Sequence, residues 1–431
     1  VDFNRHCAMI VRWKCSVRRG EIGHEKKDEA NWELERTHMS KIVIAGAGYA
    51  GMMAAAYLDR QGIPFTLVNN HDYHYLTILL HEVAGGRDVG DKYKIPIKEV
   101  LRNESSELVV ASVTGIDRER HVLKTTEGEI GYDYLIYALG WVSEYFGIKG
   151  LKEYSLSITN LDSAVEIRRH IDDQFRLYKQ DGDERHLRIA LGGAGLTGIE
   201  LMGELLEYLP KLCGELDIPW EKVDVQCIEA MPTILPMVAE HLRPYVAQTI
   251  TKRGGKLRTN AKINEVTEGV IHLDGGEKVE AGTIVWTGGV RANPLLSESG
   301  FTVDRRGRAK VNAYLQSVDD EQIFIAGDSA WAEDENGRPY PPTAQNAEQM
   351  GPLAAKNILL RERRREMEPF KPRDWGTLCS LGSEVGVGSF LGVPIKGVMG
   401  ALAKEGSKAK YLWELGGLRL AGSHAKEVVR I

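Results

Sequence analysis

Cysteine is scarce in this chain, and what there is of it is badly spaced for chemistry. The 431 residues hold five, Cys7, Cys15, Cys213, Cys227 and Cys379, with no CxxC or CxxxxC pair among them. That spacing argues against a structural zinc site, a disulfide framework and a dithiol redox centre. It fits a reducing compartment. No metal site is expected. Long apolar runs are also missing, so no transmembrane helix is expected. Basic residues are not in excess: Lys and Arg number 55 against 61 Asp and Glu, a net charge of −6. Nothing in that balance suggests a general nucleic-acid binder. The length allows two or three domains with sizeable cores.

Residues 1–38 read differently from the rest. They hold Arg5, Arg12, Lys14, Arg18 and Arg19, followed by an acidic stretch from Glu21 to Glu35. The apolar piece Ala8–Val11 is too short for a signal-peptide core, and a transit peptide would be poor in acids. The expectation is a disordered extension upstream of a true start at Met39.

Two glycine fingerprints stand out from Met39 onward. Gly46-Ala47-Gly48-Tyr49-Ala50-Gly51 follows the apolar run Ile42–Ala45, and Gly193-Ala194-Gly195-Leu196-Thr197-Gly198 follows Ile189–Leu191. In each, the first glycine permits a tight turn, the second lets backbone approach a pyrophosphate, and the third lets the helix pack on its strand. The helix N-terminus then offers free N–H groups and a positive dipole end to the phosphates. Two such motifs, about a domain length apart, point to two dinucleotides and an electron relay between them.

The second strand of the first unit, Pro64–Val68, ends at Asn69, which is either a ribose contact or a strand-end turn residue. The second strand of the later unit, Val223–Ile228, ends at Glu229. A carboxylate there can take both ribose hydroxyls and would repel a 2′-phosphate, favouring NADH over NADPH. Residues 107–135 read as an antiparallel meander. A buried strand then ends at Gly140. Residues 160–179 have helical periodicity, with Thr159, Asn160 or Asp162 as caps. Thr283–Gly289, which includes Gly288, closes the second unit. The strand Gln322–Asp328 ends in Gly327-Asp328 with no third fingerprint, so the chain is expected to return to the first sheet. A helix is expected over about 343–360.

Together these motifs resemble the two-dinucleotide-binding flavoprotein superfamily. Within it the chain looks like a type II NADH:quinone oxidoreductase. Asp72-Tyr73-His74-Tyr75, Gly198-Ile199-Glu200, Val285–Val290 and the AQxAxQ stretch Ala344–Gln349 carry the resemblance. It implies an α/β fold of two Rossmann-like domains, an FAD domain interrupted by an NADH domain, with a small C-terminal membrane-associating segment. The expected boundaries are 39–155 and 316–374 for FAD, 156–315 for NADH and 375–431 for the membrane segment.

The resemblance implies that Gly46, Gly48, Gly51, Asn69, Gly140, Gly327 and Asp328 hold FAD. Gly193, Gly195, Gly198, Glu229 and Gly288 would hold NADH. It implies catalytic roles for Glu200, Gln345 and Lys404, and a quinone contact for Gln345 and Gln349. Each has a plainer alternative. The glutamines, four apart, could share a solvated helix face, Glu200 could complement a helix dipole, and Lys404 could be a surface lysine.

Hydride would pass from NADH to FAD and two electrons on to a quinone, menaquinone among them, without proton pumping. A peripheral place on the cytoplasmic face of the membrane, lipid contact and a homodimer are further implications. Two departures are visible. Ala138-Leu139-Gly140 stands where the family has ATG. The expected anchor, residues 392–418, is basic and interrupted by Gly406. The alternatives are a sulfide:quinone oxidoreductase, disfavoured by the absence of redox cysteines between Met39 and Leu212, and a low-turnover FAD/NADH redox sensor.

Overall fold

The protein, described here by a computed structural model over residues 40–88 and 90–428, is built from two parallel sheets of matching design. The expectation for residues 1–38 lies outside the described residues. Strand β1 (Ile42–Ala45) runs through the first glycine turn into helix α1 (Tyr49–Arg60), followed by β2 (Thr66–Asn69), α2 (Leu80–Ala84), β3 (Glu107–Val110) and β4 (Tyr134–Tyr137). Next come β5 (Leu156–Ser157), α3 (Leu161–Asp181), β6 (Arg188–Gly192), α4 (Leu196–Leu216), β7 (Asp224–Ile228), β8 (Lys256–Arg258) and β9 (Thr283–Trp286). The last elements used below are β10 (Ile323–Ile325), α5 (Ala344–Glu362), β11 (Leu378–Ser380), β12 (Gly386–Phe390), β13 (Val393–Gly397) and α6 (Val398–Val428).

The first sheet has the order β10-β4-β1-β2-β3 and the second β5-β9-β6-β7-β8. Every pairing in both is parallel. Parallel strands covered on both faces must be apolar throughout. β1 and β10 are accordingly Ile-Val-Ile-Ala and Ile-Phe-Ile, buried at every position. The chain does return to the first sheet: β10 pairs with β4 through Ile323 opposite Leu135. In both sheets the strand order reverses between the glycine-loop strand and its neighbour, β4 or β9. That crevice is where ligands bind in open α/β sheets.

Helix α3 begins at Asn160, one of the three expected caps. Its side chain accepts from the Ser163 N–H at 2.8 Å, and Ser163 Oγ accepts from the Asn160 N–H at 3.0 Å, a reciprocal capping box. Helix α5 starts one residue after Thr343, whose hydroxyl accepts from the Asn346 N–H.

Two expectations need correction. Glu107–Val110 is not part of the meander but a parallel edge strand on β2, with Thr66 opposite Glu107. An edge strand buries only part of its surface, so its mixed polarity imitates an antiparallel pattern. The meander itself comprises Val113–Asp117, Val122–Thr125 and Gly128–Gly131. Nor does Gly406 interrupt the C-terminal segment. Helix α6 runs through it, and the one non-helical residue inside is Gly417, at φ 72°.

Helices α1 and α5 approach to backbone contact. A Cβ on Gly351 would lie 2.0 Å from the Ala50 carbonyl oxygen, whereas one on Gly406 would meet nothing within 4 Å. Gly351→Ala should therefore destabilise the protein by about 1–3 kcal/mol or more through overpacking. Gly406→Ala should be neutral or stabilising by up to about 1 kcal/mol through helix propensity. Urea midpoints of the two variants check this ordering.

Candidate functional site

The two glycine turns share backbone angle, hydrogen bond and close approach. Gly46 and Gly193 adopt φ 99° and 104°, the left-handed region closed to other residues. The N–H of Gly46 donates to the Val68 carbonyl, and that of Gly193 to the Ile228 carbonyl, both at 2.8 Å. A Cβ on Gly51 would fall 1.8 Å from the Gly46 carbonyl oxygen, and one on Gly198 2.0 Å from that of Gly193. By contrast, a Cβ on Gly48 or Gly195 would meet nothing within 4 Å. Each loop thus leaves free space beside a helix N-terminus, where pyrophosphate oxygens are recognised. The residues present fit two dinucleotides.

Asn69 and Glu229 occupy equivalent positions. Asn69 Oδ1 accepts from the Ala47 N–H at 3.0 Å, and Glu229 Oε2 from the Ala194 N–H at 2.8 Å. Glu229 Oε1 also accepts from the Met231 N–H at 2.8 Å. The backbone of Gly288 lies against the second loop, its Cα 2.5 Å from where a Gly193 Cβ would be. Beside the first loop, Gly140 takes φ 65° and its carbonyl accepts from Ser329 Oγ at 2.7 Å. Gly327, at φ 76°, turns the chain so that Asp328 follows the end of β10. Burial pushes the Asp328 carboxyl up to about 6, and among the described residues no donor pairs with it. Such a carboxyl is suited to a ligand hydroxyl.

Glu200 and Lys404 meet as a buried pair. Lys404 Nζ donates to Glu200 Oε1 at 2.5 Å. The Ser380 N–H donates to the same oxygen at 3.0 Å, and His81 Nδ1 lies 3.6 Å from Oε2. Burial would raise the Glu200 carboxyl, but Lys404 and then His81 hold it below the usual range. One helical turn further, a second rung joins the same three helices. Lys408, 1% exposed, binds Glu82 at 2.7 Å and Glu405 at 2.8 Å. Arg87 reaches Glu82 at 3.1 Å and grips both carboxylate oxygens of Glu204, while Tyr93 donates to Glu82 at 2.8 Å. Burial works against the Glu82 charge, yet Lys408 and Arg87 hold that carboxyl down at about 2.

Lys404 is therefore no surface lysine, and the basic stretch of the C-terminal segment is not a membrane-facing stripe. Its lysines at 404 and 408 turn inward because carboxylates on α2 and α4 await them. The sequence reading missed Glu82, Arg87, Glu204 and Lys408. A signal was available: Glu200 and Glu204 lie at i, i+4 in the apolar first half of their helix, and Lys404 and Lys408 repeat that spacing on α6.

Gln345 and Gln349 lie on α5, against a different part of α6. Gln345 Oε1 accepts from the Trp375 N–H at 2.7 Å, and Gln349 Oε1 from the Arg373 N–H at 2.8 Å. The two amides clasp an extended segment and, with Glu348, Arg373, Trp375, Lys410 and Glu414, line a cavity of about 260 Å³. No contact joins them to Glu200 among the described residues.

His74, from the Asp72–Tyr75 stretch, is wholly buried under the first loop. Its Nδ1 lies 2.8 Å from the Ala47 carbonyl and its Nε2 2.9 Å from the Tyr411 hydroxyl. A carbonyl only accepts, so Nδ1 carries the proton and Tyr411 donates to Nε2. Cys213, Cys227 and Cys379 are buried and unpaired. Burial pushes the thiols of Cys213 and Cys227 up to about 11 and about 12, and that of Cys379 well above its ordinary value. Thiols held protonated are poor nucleophiles.

Two glycine cradles at two sheet crevices, one unit interrupting the other, define a reductase of the two-dinucleotide class. A family model described as pyridine nucleotide-disulphide oxidoreductase matches residues 40–351. A curated type II NADH:quinone oxidoreductase of Staphylococcus aureus (strain NCTC 8325 / PS 47) is 37% identical over 396 residues, covering 90% of this chain and 98% of that protein. Among solved structures, NDH2 from Plasmodium falciparum in complex with NADH aligns with a TM-score of 0.82 at 17% identity, covering 90% of this chain and 98% of that one. Sulfide:quinone oxidoreductase from Aquifex aeolicus aligns with a TM-score of 0.71 at 18% identity, covering 88% and 91%. These two likenesses speak to the fold. The chain belongs to the pyridine nucleotide-disulphide oxidoreductase family and, within it, to the type II NADH:quinone oxidoreductases.

The buried imidazoles make a pH prediction. Burial depresses both His74 and His81 from 6.5 to about 4. Between those values the unfolded chain binds more protons than the folded one, so stability rises with pH there. Their contribution is complete above about 6.5 and is lost as pH falls to about 4, by up to about 3 kcal/mol for His74. His74→Gln should flatten this slope in denaturant midpoints measured across pH 4–7.

Proposed function

We propose that this chain oxidises NADH and reduces a quinone, with FAD as its resident cofactor and without pumping protons. One observation carries the reading: 37% identity to a type II NADH:quinone oxidoreductase, sustained over 90% of this chain and 98% of the relative. Bound FAD supplies an acceptor for hydride and a donor of two electrons. In this reading Gly46, Gly48 and Gly51 receive its pyrophosphate, with Asn69 and Gly140 alongside and Asp328 accepting from its ribityl chain. Gly193, Gly195 and Gly198 receive that of NADH, Gly288 backs the loop, and Glu229 takes the adenosine ribose hydroxyls. The protein's task is to hold donor and acceptor at reactive distance and to exclude water. Gln345 and Gln349 frame the quinone pocket. Glu200 and Lys404 form a buried charged pair that this reading places beside the reaction, each holding the other in its charged form.

We place the acceptor in the membrane, menaquinone being one such quinone, and the protein on its cytoplasmic face. Phe390, Leu391 and Val393 at the β12–β13 turn are exposed, as are Val398, Met399 and Leu402 at the start of α6. Large exposed apolar side chains at the turn and at the start of α6 support a lipid-facing surface. Among the described residues no helix is long and apolar enough to cross a membrane. The likeness to a sulfide:quinone oxidoreductase raises a second reading, but that chemistry needs redox cysteines, and the described thiols are buried and unpaired.

Purified holoprotein should be bleached by NADH but not by sulfide, and its yellow colour restored by a soluble menaquinone analogue, faster in the presence of lipid vesicles. Glu229→Gln should narrow the preference for NADH over NADPH by about tenfold, or about 1.4 kcal/mol. Failure of NADH to bleach the protein contradicts the function; an unchanged donor preference contradicts the role of Glu229.

A further inference from the structure

Glu348 is the acid inside the AQxAxQ stretch, and neither the glutamine pattern nor the buried ladder uses it. Its side chain is 15% exposed and lines the same cavity as Gln345 and Gln349. Among the described residues it receives no hydrogen bond, and the nearest cation, Lys410 Nζ, stands 3.9 Å away. Lys410 is committed elsewhere: it binds Glu414 at 2.6 Å and lies over the Trp375 ring, 5.4 Å from its centroid. A carboxyl on the same helix as the two amides, shielded from solvent and with its one ion-pair cation 3.9 Å away and bonded elsewhere, is better kept protonated than charged. Burial does push it up to about 7, with Lys410 opposing and Glu414 assisting.

Behind Glu348, among the described residues, no further cation acts on it. The groups that face it from α1 and α6 are the phenols of Tyr49 and Tyr411, both wholly buried and both pushed up by burial and by its charge. Their rings stack edge to face at 4.6 Å. Tyr411 is bonded on to His74, which stays neutral, and among the described residues no side chain pairs with the Tyr49 hydroxyl. The carboxyl therefore exchanges its proton toward the cavity, where Lys410 and Glu414 stand.

We propose that Glu348 is the proton donor of the quinone pocket. This rests on the reading of the pocket as the quinone site. Reduction of a quinone to a quinol takes two electrons, supplied by NADH through the resident cofactor, and two protons. The Glu348 O–H bond breaks as a new O–H bond forms on one quinone oxygen, and the carboxylate left behind faces Lys410. Solvent beside Glu414 returns the proton to Glu348, and the second quinol proton comes from solvent. A donor whose pKa lies near the working pH serves best in such a transfer.

Stopped-flow separation of the two half-reactions tests this. In Glu348→Gln, bleaching by NADH should keep its rate, while reoxidation by a soluble quinone slows by about 10²-fold and loses its dependence on pH near 7. Glu348→Asp should restore part of the rate. Lys410→Met, on the pocket rim, should shift the alkaline limb of quinone reoxidation to higher pH, because it removes the cation that opposes protonation. Infrared titration should show one fewer carboxyl titrating near pH 7 in Glu348→Gln than in the parent. Unchanged reoxidation and pH profile in Glu348→Gln overturn the proposal. So does an unshifted profile in Lys410→Met, which decides the matter if Glu348→Gln does not fold. If the parent protein itself is not reoxidised by quinone, it is the proposed function that fails.

Discussion

Two lysines on the last helix bury their charge, and carboxylates from both nucleotide units receive it, with Glu405 of the same helix adding to the site of Lys408. Lys404 and Lys408 lie one turn apart on α6; Glu200 and Glu204 lie one turn apart on α4; His81, Glu82 and Arg87 come from α2 and the chain just after it. A buried ion pair is no net stabiliser by default, since desolvation consumes the Coulomb gain. Removing one partner, however, strands the other, at a cost of about 3–5 kcal/mol. The ladder therefore acts as a register device. Helix α6 can dock in one axial position, because a shift of one turn would leave a charge unpaired at each end. That position in turn presents Lys410 and Glu414 to the glutamine pocket and Tyr411 to His74 under the first glycine loop.

The twin loops show how near-identical backbone serves two purposes. Their turns, hydrogen bonds and close approaches coincide, so affinity for a pyrophosphate does not separate them. The difference lies at the strand ends: an uncharged Asn69 accepting from Ala47, and a charged Glu229 accepting from Ala194. Around the first loop the protein adds Asp328 from a returning strand, His74 from below and Tyr411 from the last helix. Around the second it adds little beyond Gly288. A ligand enclosed by elements from distant parts of the chain is suited to stay, and one cradled by a single unit is suited to come and go.

Much of this was legible in the sequence. Strand–glycine–helix units announce themselves because the turn demands glycine at fixed offsets, and β10 was readable as a return strand because a buried Ile-Phe-Ile run has no other place to pair. Asn160 was one of three candidate caps, whereas Thr343 was read as part of its helix rather than as the cap. What escaped were effects of tertiary packing. Glu107–Val110 looked antiparallel because edge strands are mixed in polarity. The pairing of Lys404 with Glu200 and of Lys408 with Glu82 escaped because those partners lie some two to three hundred residues earlier in the sequence. Glu348 sits in a recognisable stretch, but its poor solvation depends on helices that no local pattern reveals.

The ladder's role as a coupled unit is tested most directly by a double-mutant cycle on Glu82→Gln and Lys408→Met, with unfolding free energies measured for the parent, both single variants and the pair. The account predicts that each single variant costs several kcal/mol and that the double variant costs much less than their sum, a coupling of about 1–3 kcal/mol. Additivity within about 0.5 kcal/mol would contradict it.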